Sequence, residues 1–217
     1  AYGVTDISNT IGSNYRFTEI QAAIGYEQFK KLQGFLDHRK EIGAYLTSRL
    51  STIEGLHVQK IEEGSTHAYY MYPVRFDEHV FGISRSLFLR AVNAELPRPK
   101  YWDTTPLAEG YVKPLYLNPI YQQKIAIGKK GFPFNANPGV EYNYPKGLCP
   151  VTEQLYEKEL MLSPLVREGI TKKDISDFAD AIEKVVENIM DIKNSGLNRV
   201  SNAEVYDAIK AIDKNVK

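Results

Sequence analysis

Cysteine is nearly absent from this chain. Cys149 stands alone among 217 residues, so no disulfide can form within it. A reducing, cytoplasmic setting is therefore expected. Charge imbalance is absent too. Lysine and arginine total 27, and aspartate and glutamate total 27. Neither a nucleic acid nor an anionic membrane surface is then an expected partner. No apolar run approaches the ~20 residues needed to span a bilayer. The first residues lack the basic-then-apolar pattern of a signal peptide, and no metal site is expected. The chain opens on Ala1-Tyr2-Gly3 rather than methionine, which leads us to expect that residues precede it in the gene product.

Apolar residues make up 43% of the chain, enough to bury a core. Tyrosine is abundant at 15 residues, suited to half-buried surfaces or to the wall of a polar pocket. A long helix is expected from Thr18, whose spacing to Gln21 is that of a capping box. Ile20, Ile24, Leu32, Phe35, Ile42, Leu46 and Leu50 give it helical periodicity, and Gly34 and Gly43 are the expected weak points. Leu56 to Lys60 and His67 to Phe76 suggest strands, with Pro73 indicating an edge or a bulge in the second. Ser84 caps a helix running to about Glu95. Residues 96–150 hold most of the chain's 11 prolines and show no periodicity, as expected of a functional loop. Leu160 to Leu162 suggests a last strand. Thr171 caps a helix through Ile189, with Asp174 and Asp177 at its start and Lys193 near its end. A weaker helix is expected over Ala203 to Ile212. The pattern is that of an α+β domain: a small sheet with helices packed on one face, preceded by a long helix.

Few residues announce chemistry by themselves. Asn14 and Arg16 stand just before a helix start, where free amides and an Arg fork suit an anion, but such an arginine also fits a solvated surface. His67 fits either a hydrogen-bonded core position or a binding role. Cys149 is expected to be a small buried hydrophobe, and Lys129 and Lys130 a solvated loop pair.

Six segments together carry a resemblance. They are Gly12 to Gly25 (G-x-N-x-R-hydrophobic-[ST]-x-hydrophobic-x-A-A), His67 to Arg75, Ile83 to Phe88, Tyr111 to Tyr116 (Y-x-x-P-L-Y), Cys149 to Glu153, and Leu160 to Pro164. In this order they resemble the DegT/DnrJ/EryC1/StrS family of pyridoxal-phosphate (PLP) sugar aminotransferases. Two departures stand out. Ala94-Glu95-Leu96-Pro97 replaces the family's A-E-G-I turn, and the stretch from Lys129 to Pro145 is longer than in many relatives. Both touch the expected substrate loop.

The resemblance implies the C-terminal part of a fold-type-I aminotransferase. Residues 1–50 would be the end of the large domain and the inter-domain helix. Residues 51–192 would form the small domain, with a substrate loop over 96–150, and residues 193–217 a tail. It further implies a homodimer that moves an amino group from glutamate or glutamine to a keto group on a nucleotide-linked sugar or cyclitol. Asn14 and Arg16 would bind the PLP phosphate of the partner subunit, and His67, Tyr111 and Tyr116 would contact substrate. No catalytic residue is assigned within the chain, because the family's Schiff-base lysine lies upstream of Gly12. Two alternatives stay open: a dehydratase of the same family, with histidine in place of that lysine, and a binding or interaction module without chemistry.

Overall fold

The computed structural model describes residues 15–97, 105–111, 113–128 and 130–195. The helix expected from Thr18 is present as two. Helix α1 (Glu19–Phe29) begins on the Thr18 capping box: Thr18 Oγ1 accepts the Gln21 amide at 3.3 Å, and Gln21 Oε1 accepts the Thr18 amide at 3.0 Å. Helix α2 (Leu32–Leu50) follows. The break does not fall at Gly34 or Gly43, which both lie inside α2. It falls at Lys31, where the backbone ladder tightens for one turn and the Lys31 amide bonds Gln28 O at 3.0 Å. Helix α1 has no buried residue, whereas Ile42, Leu46 and Leu50 of α2 are wholly inside.

The chain then forms β1 (Leu56–Val58), β2 (Tyr72–Phe76), a single-turn α3 (Glu78–Phe81) and α4 (Arg85–Ala94). Two-residue β3 (Ala108–Glu109), short α5 (Pro119–Gln122) and short α6 (Pro150–Gln154) follow. Strand β4 (Leu160–Ser163), α7 (Lys172–Glu187) and α8 (Ile189–Asn194) complete the described elements. The expected helix at Ala203 to Ile212 lies outside the described residues.

The four strands make one antiparallel sheet in the order β1-β2-β4-β3. Its inner face carries Leu56, Tyr72, Val74, Phe76 and Met161, which form one core with the buried faces of α2, α4 and α7. Phe76, Phe81 and Phe88 stack at its centre, with centroids 4.7 and 4.8 Å from Phe76. The outer face carries exposed His57 and Arg75. This is the expected α+β arrangement, with helices on one face.

Pro73 does not mark an edge strand. Strand β2 is central, not an edge. However, β1 pairs only with Val74, Arg75 and Phe76, while Pro73 faces Leu162 of β4 alone. The residue without an amide thus sits where its strand has one neighbour, which is the local condition proline needs.

Caps behave as their local chemistry dictates. Ser84 Oγ accepts the Leu87 amide at 3.2 Å, and Thr171 and Asp174 form a second capping box. The last helix, expected to be continuous, breaks at Asn188 (φ −102°, ψ 20°), so Lys193 belongs to α8. Arg49 fastens α2 to α7 with two bonds to Glu183, at 2.8 and 2.6 Å, and one to Asp180 at 2.7 Å.

The two glycines of α2 make opposite demands. A Cβ at Gly43 would lie 2.8 Å from the Tyr69 ring, and one at Gly34 would meet nothing within 4 Å. Gly43→Ala should destabilise the protein by about 1–3 kcal/mol through overpacking. Gly34→Ala, in an exposed helical position, should stabilise it by about 0.5–1 kcal/mol. Urea unfolding of both variants checks the pair. Shifts of the same sign would show that Tyr69 does not require the bare backbone.

Candidate substrate and cofactor site

The strand expected from His67 does not begin until Tyr72, because residues 67–70 form a turn clamped by α2. Tyr69 sits at φ 49°, in the left-handed region. For a bulky residue this conformation is a genuine outlier and costs roughly 1–3 kcal/mol. Several contacts offset that cost. The Tyr69 ring is buried over Gly43 and stacks on Tyr72 with centroids 6.0 Å apart. Arg39 donates to Tyr69 O at 3.0 Å and to Ala68 O at 3.5 Å. The Tyr69 amide donates to His67 Nδ1 at 3.0 Å, and the two rings meet edge to face at 4.6 Å. Burial pushes the Tyr69 hydroxyl pKa up and that of Tyr72 to about 12, although a bond to Thr47 opposes the second shift.

The turn throws Tyr70 outward. Its ring is 74% exposed and meets Tyr111 at 6.5 Å in a T-shaped pair. The Tyr111 hydroxyl donates to that of Tyr70 at 3.4 Å, a contact that raises the Tyr111 pKa. His67 and Tyr111, both expected to contact substrate, thus border the same turn.

Tyr116 belongs to a different construction. It lies in a 3₁₀ turn (Leu115–Leu117), and its hydroxyl donates to the Glu153 carboxylate of α6. Glu153 is buried and also accepts the Gly147 amide at 2.6 Å. The Tyr116 bond, ahead of the others, holds the Glu153 carboxyl below its usual range. The Cys149 amide donates back to the Tyr116 hydroxyl at 3.4 Å. Cys149 itself is exposed, contrary to expectation. It precedes the first residue of α6, where the backbone turns and the side chain is left outside.

The long stretch expected to be structureless has a framework. Tyr121, Phe134, Tyr142 and Tyr144 pack edge to face at 5.4–6.2 Å. The Gln122 amide group bridges Tyr116 O and Tyr144 O at 2.7 and 2.8 Å. Lys130 is exposed, as expected, while Lys129 lies outside the described residues.

Arg85 holds the far end of this stretch. It is 3% exposed and donates to the carbonyls of Tyr156 (3.0 Å), Glu157 (2.9 Å) and Leu160 (3.0 Å) and to the Glu109 carboxylate (3.3 Å). These carbonyls end a π-helical turn (Leu155–Glu159), whose acceptors need an outside donor. A cation at a helix N-terminus opposes the macrodipole. That misplacement in Ser84-Arg85 was the readable sign that another element holds the side chain.

At the start of α1, residues 15–24 are exposed. The capping box occupies the Gln21 amide and leaves those of Glu19 and Ile20 outside it. Arg16 stands three residues before Glu19, and the Glu19 carboxylate in the first turn works against an anion at these amides. Asn14 lies outside the described residues.

The architecture is that of the C-terminal part of a fold-type-I aminotransferase. An aminotransferase structure from Psychrobacter cryohalolentis superposes with a TM-score of 0.60 at 26% identity, covering 88% of this chain and 44% of that one. The sequence profile of the DegT/DnrJ/EryC1/StrS aminotransferase family matches residues 3–183, and the chain belongs to that family. It is 27% identical over 175 residues to protein MJ1066 of Methanocaldococcus jannaschii, covering 81% of this chain and 38% of the relative. It is 26% identical over 190 residues to the L-glutamine:scyllo-inosose aminotransferase of Streptomyces griseus, covering 84% and 40%. The chain thus spans well under half the length of these relatives. The family's cofactor is PLP.

Two outcomes follow for the loop anchors. Arg85→Met leaves several buried carbonyls without donors and should cost about 2–4 kcal/mol, with little rescue by Arg85→Lys, which lacks the planar fork. Full recovery by lysine in thermal melts would show that only the charge matters. The folded-state pKa of Glu153 is lowered, so its contribution is present above the ordinary glutamate range and lost as pH falls through its own lower value. Acid melting of Glu153→Gln should lack this component, and an unchanged pH profile would exclude it.

Proposed function

We propose that this chain is the C-terminal part of a homodimeric PLP enzyme that transfers an amino group from glutamate or glutamine to a keto group on a nucleotide-linked sugar or a cyclitol. Family membership across residues 3–183 carries the reading, and a relative that aminates a cyclitol supports the acceptor class. In this reading α1 lies between domains, residues 51–192 form the small domain, and the Schiff-base lysine is supplied by a preceding part of the protein. PLP, when bound, carries the amino group from donor to acceptor.

The residues of this chain bind and position. Asn14 and Arg16 hold the phosphate of the partner subunit's cofactor. His67 and Tyr111 line the acceptor cleft on either side of the clamped turn. Tyr116 shapes the same cleft through its tie to Glu153, with the loop up to Tyr144 setting acceptor choice. The aromatic walls suit the apolar faces of a sugar ring, and their hydroxyl groups suit its polar rim.

The direct test uses the full-length protein with PLP. The cofactor's visible band should bleach on adding L-glutamate or L-glutamine. It should return on adding scyllo-inosose or a nucleotide-linked keto-sugar. A band that neither donor bleaches would remove the aminotransferase reading. Arg16→Ala should weaken PLP binding roughly ten- to a hundredfold, as for a charged hydrogen bond of about 1.5–3 kcal/mol. A mixed dimer decides which subunit Arg16 serves. One subunit carries Arg16→Ala and the other lacks the Schiff-base lysine. If Arg16 reaches across, the lysine-bearing pocket keeps tight PLP binding. Weak binding there would assign Arg16 to its own subunit.

A further inference from the structure

His67 is held in one chemical form by its neighbours. The Tyr69 backbone amide can only donate, and it points at His67 Nδ1 from 3.0 Å. Nδ1 therefore presents a lone pair, and the proton of the neutral ring sits on Nε2. A doubly protonated ring would set N–H against N–H and break this bond. Among the described residues no polar atom bonds Nε2, and the atom is not sealed from solvent. The ring is half-buried and fixed edge-on against Tyr69, so the direction of its free N–H is set before any ligand arrives.

The restraint comes from α2. Arg39 grips the Ala68 and Tyr69 carbonyls, and Gly43 admits the Tyr69 ring at a distance no Cβ would allow. The result is an N–H fixed in orientation three residues before Tyr70, whose exposed ring pairs with Tyr111. A neutral single donor matches a hydroxyl or carbonyl oxygen of an uncharged polyol ring. A carboxylate or a diphosphate would be served better by a charged fork. We propose that His67 binds the keto acceptor as a neutral hydrogen-bond donor through Nε2, with Arg39 and Gly43 as the residues that position it.

This inference rests on the acceptor cleft proposed above, and the two can fail separately. The test uses full-length, PLP-loaded enzyme and a pair of isosteres. His67→Asn keeps an acceptor where Nδ1 lies but has no atom at Nε2. His67→Gln reaches the Nε2 position with an amide donor but loses the Nδ1 acceptor. His67→Asn should melt near wild type and raise KM for the keto acceptor about three- to tenfold, the effect of one neutral hydrogen bond, and more than it affects KM for glutamate. His67→Gln should keep that KM within about twofold of wild type while melting lower. Equal KM values for the two variants overturn the proposal. Arg39→Met should raise the same KM more than it affects KM for glutamate, and Arg39→Lys should recover most of it. Failure of lysine to recover it would remove Arg39 from the positioning role. An arm without substrate completes the test. In protein labelled with ¹⁵N-histidine, the signal lost in His67→Asn should show a bare Nδ1 and a protonated Nε2. A protonated Nδ1 overturns the proposal whatever the acceptor. Wild-type enzyme that reacts with glutamate but with no keto-sugar or cyclitol would instead sink the acceptor assignment.

Discussion

The Tyr69 ring lies against the bare backbone of α2 at Gly43, and much of the molecule's arrangement follows from that contact. It lets the chain turn sharply between Ala68 and Tyr70, at a backbone angle that tyrosine seldom adopts. From there β2 enters the middle of the sheet with Tyr72, Val74 and Phe76 facing the helices. A shift of β2 by one residue would turn those three side chains to the outer face and bring Pro73 and Arg75 inward. Arg39 reinforces the turn at its carbonyls from the same helix. One face of α2 thereby sets both the register of the central strand and the presentation of His67 and Tyr70.

A second anchor works at the β3 edge of the sheet. Between β3 and β4 the described residues leave the core and must return in register. Arg85 supplies the return point, gathering the carbonyl ends of the π-helical turn before Leu160 and reaching Glu109 on β3. A guanidinium suits this position because its five donors lie in one plane, while an ammonium could not satisfy carbonyls spread over several residues. Between the anchors, aromatic edge-to-face packing and the Tyr116–Glu153 bond hold the excursion together without a regular ladder. Such a segment keeps a defined shape without regular secondary structure.

What the sequence made legible is what neighbouring residues decide. The caps at Thr18, Ser84 and Thr171 lie where a side chain meets an amide three positions on. The apolar face of α7 follows from its helical period alone. The missed features depend on partners distant in the chain. The late start of β2 depends on Gly43 and Arg39, whereas the exposure of Cys149 turns on the backbone at the adjacent start of α6. Order in the long loop comes from ring pairs, which leave no periodic trace. Pro73 suggested an edge because a sequence shows the missing donor but not where the neighbouring strand stops. At the candidate site the residue types were legible and their grouping was not. Nothing local distinguishes Tyr111, beside the turn, from Tyr116, tied to α6.

Helix α1 obeys different physics from the rest. Its capping box and the Lys30–Glu27 pair are its local supports. Such contacts contribute roughly a kilocalorie together, and an eleven-residue helix is marginal in water. Yet Tyr15, Phe17, Ile20, Ile24, Tyr26 and Phe29 are each more than 60% exposed. Side chains of that size, spread around a helix rather than along one stripe, belong to an element covered on several sides. The described residues supply no such cover, while α2, only a tightened turn away, is packed into the core. The two helices thus differ in kind: α2 belongs to the core, and α1 presents its apolar side chains outside it. In the proposed enzyme the cover for those side chains is the large domain and the partner subunit. In that reading, α2, fixed by Ile42, Leu46 and Leu50, carries α1 and Arg16 beyond the core, so the proposed phosphate contact and the clamped turn at Tyr69 are held by adjoining helices.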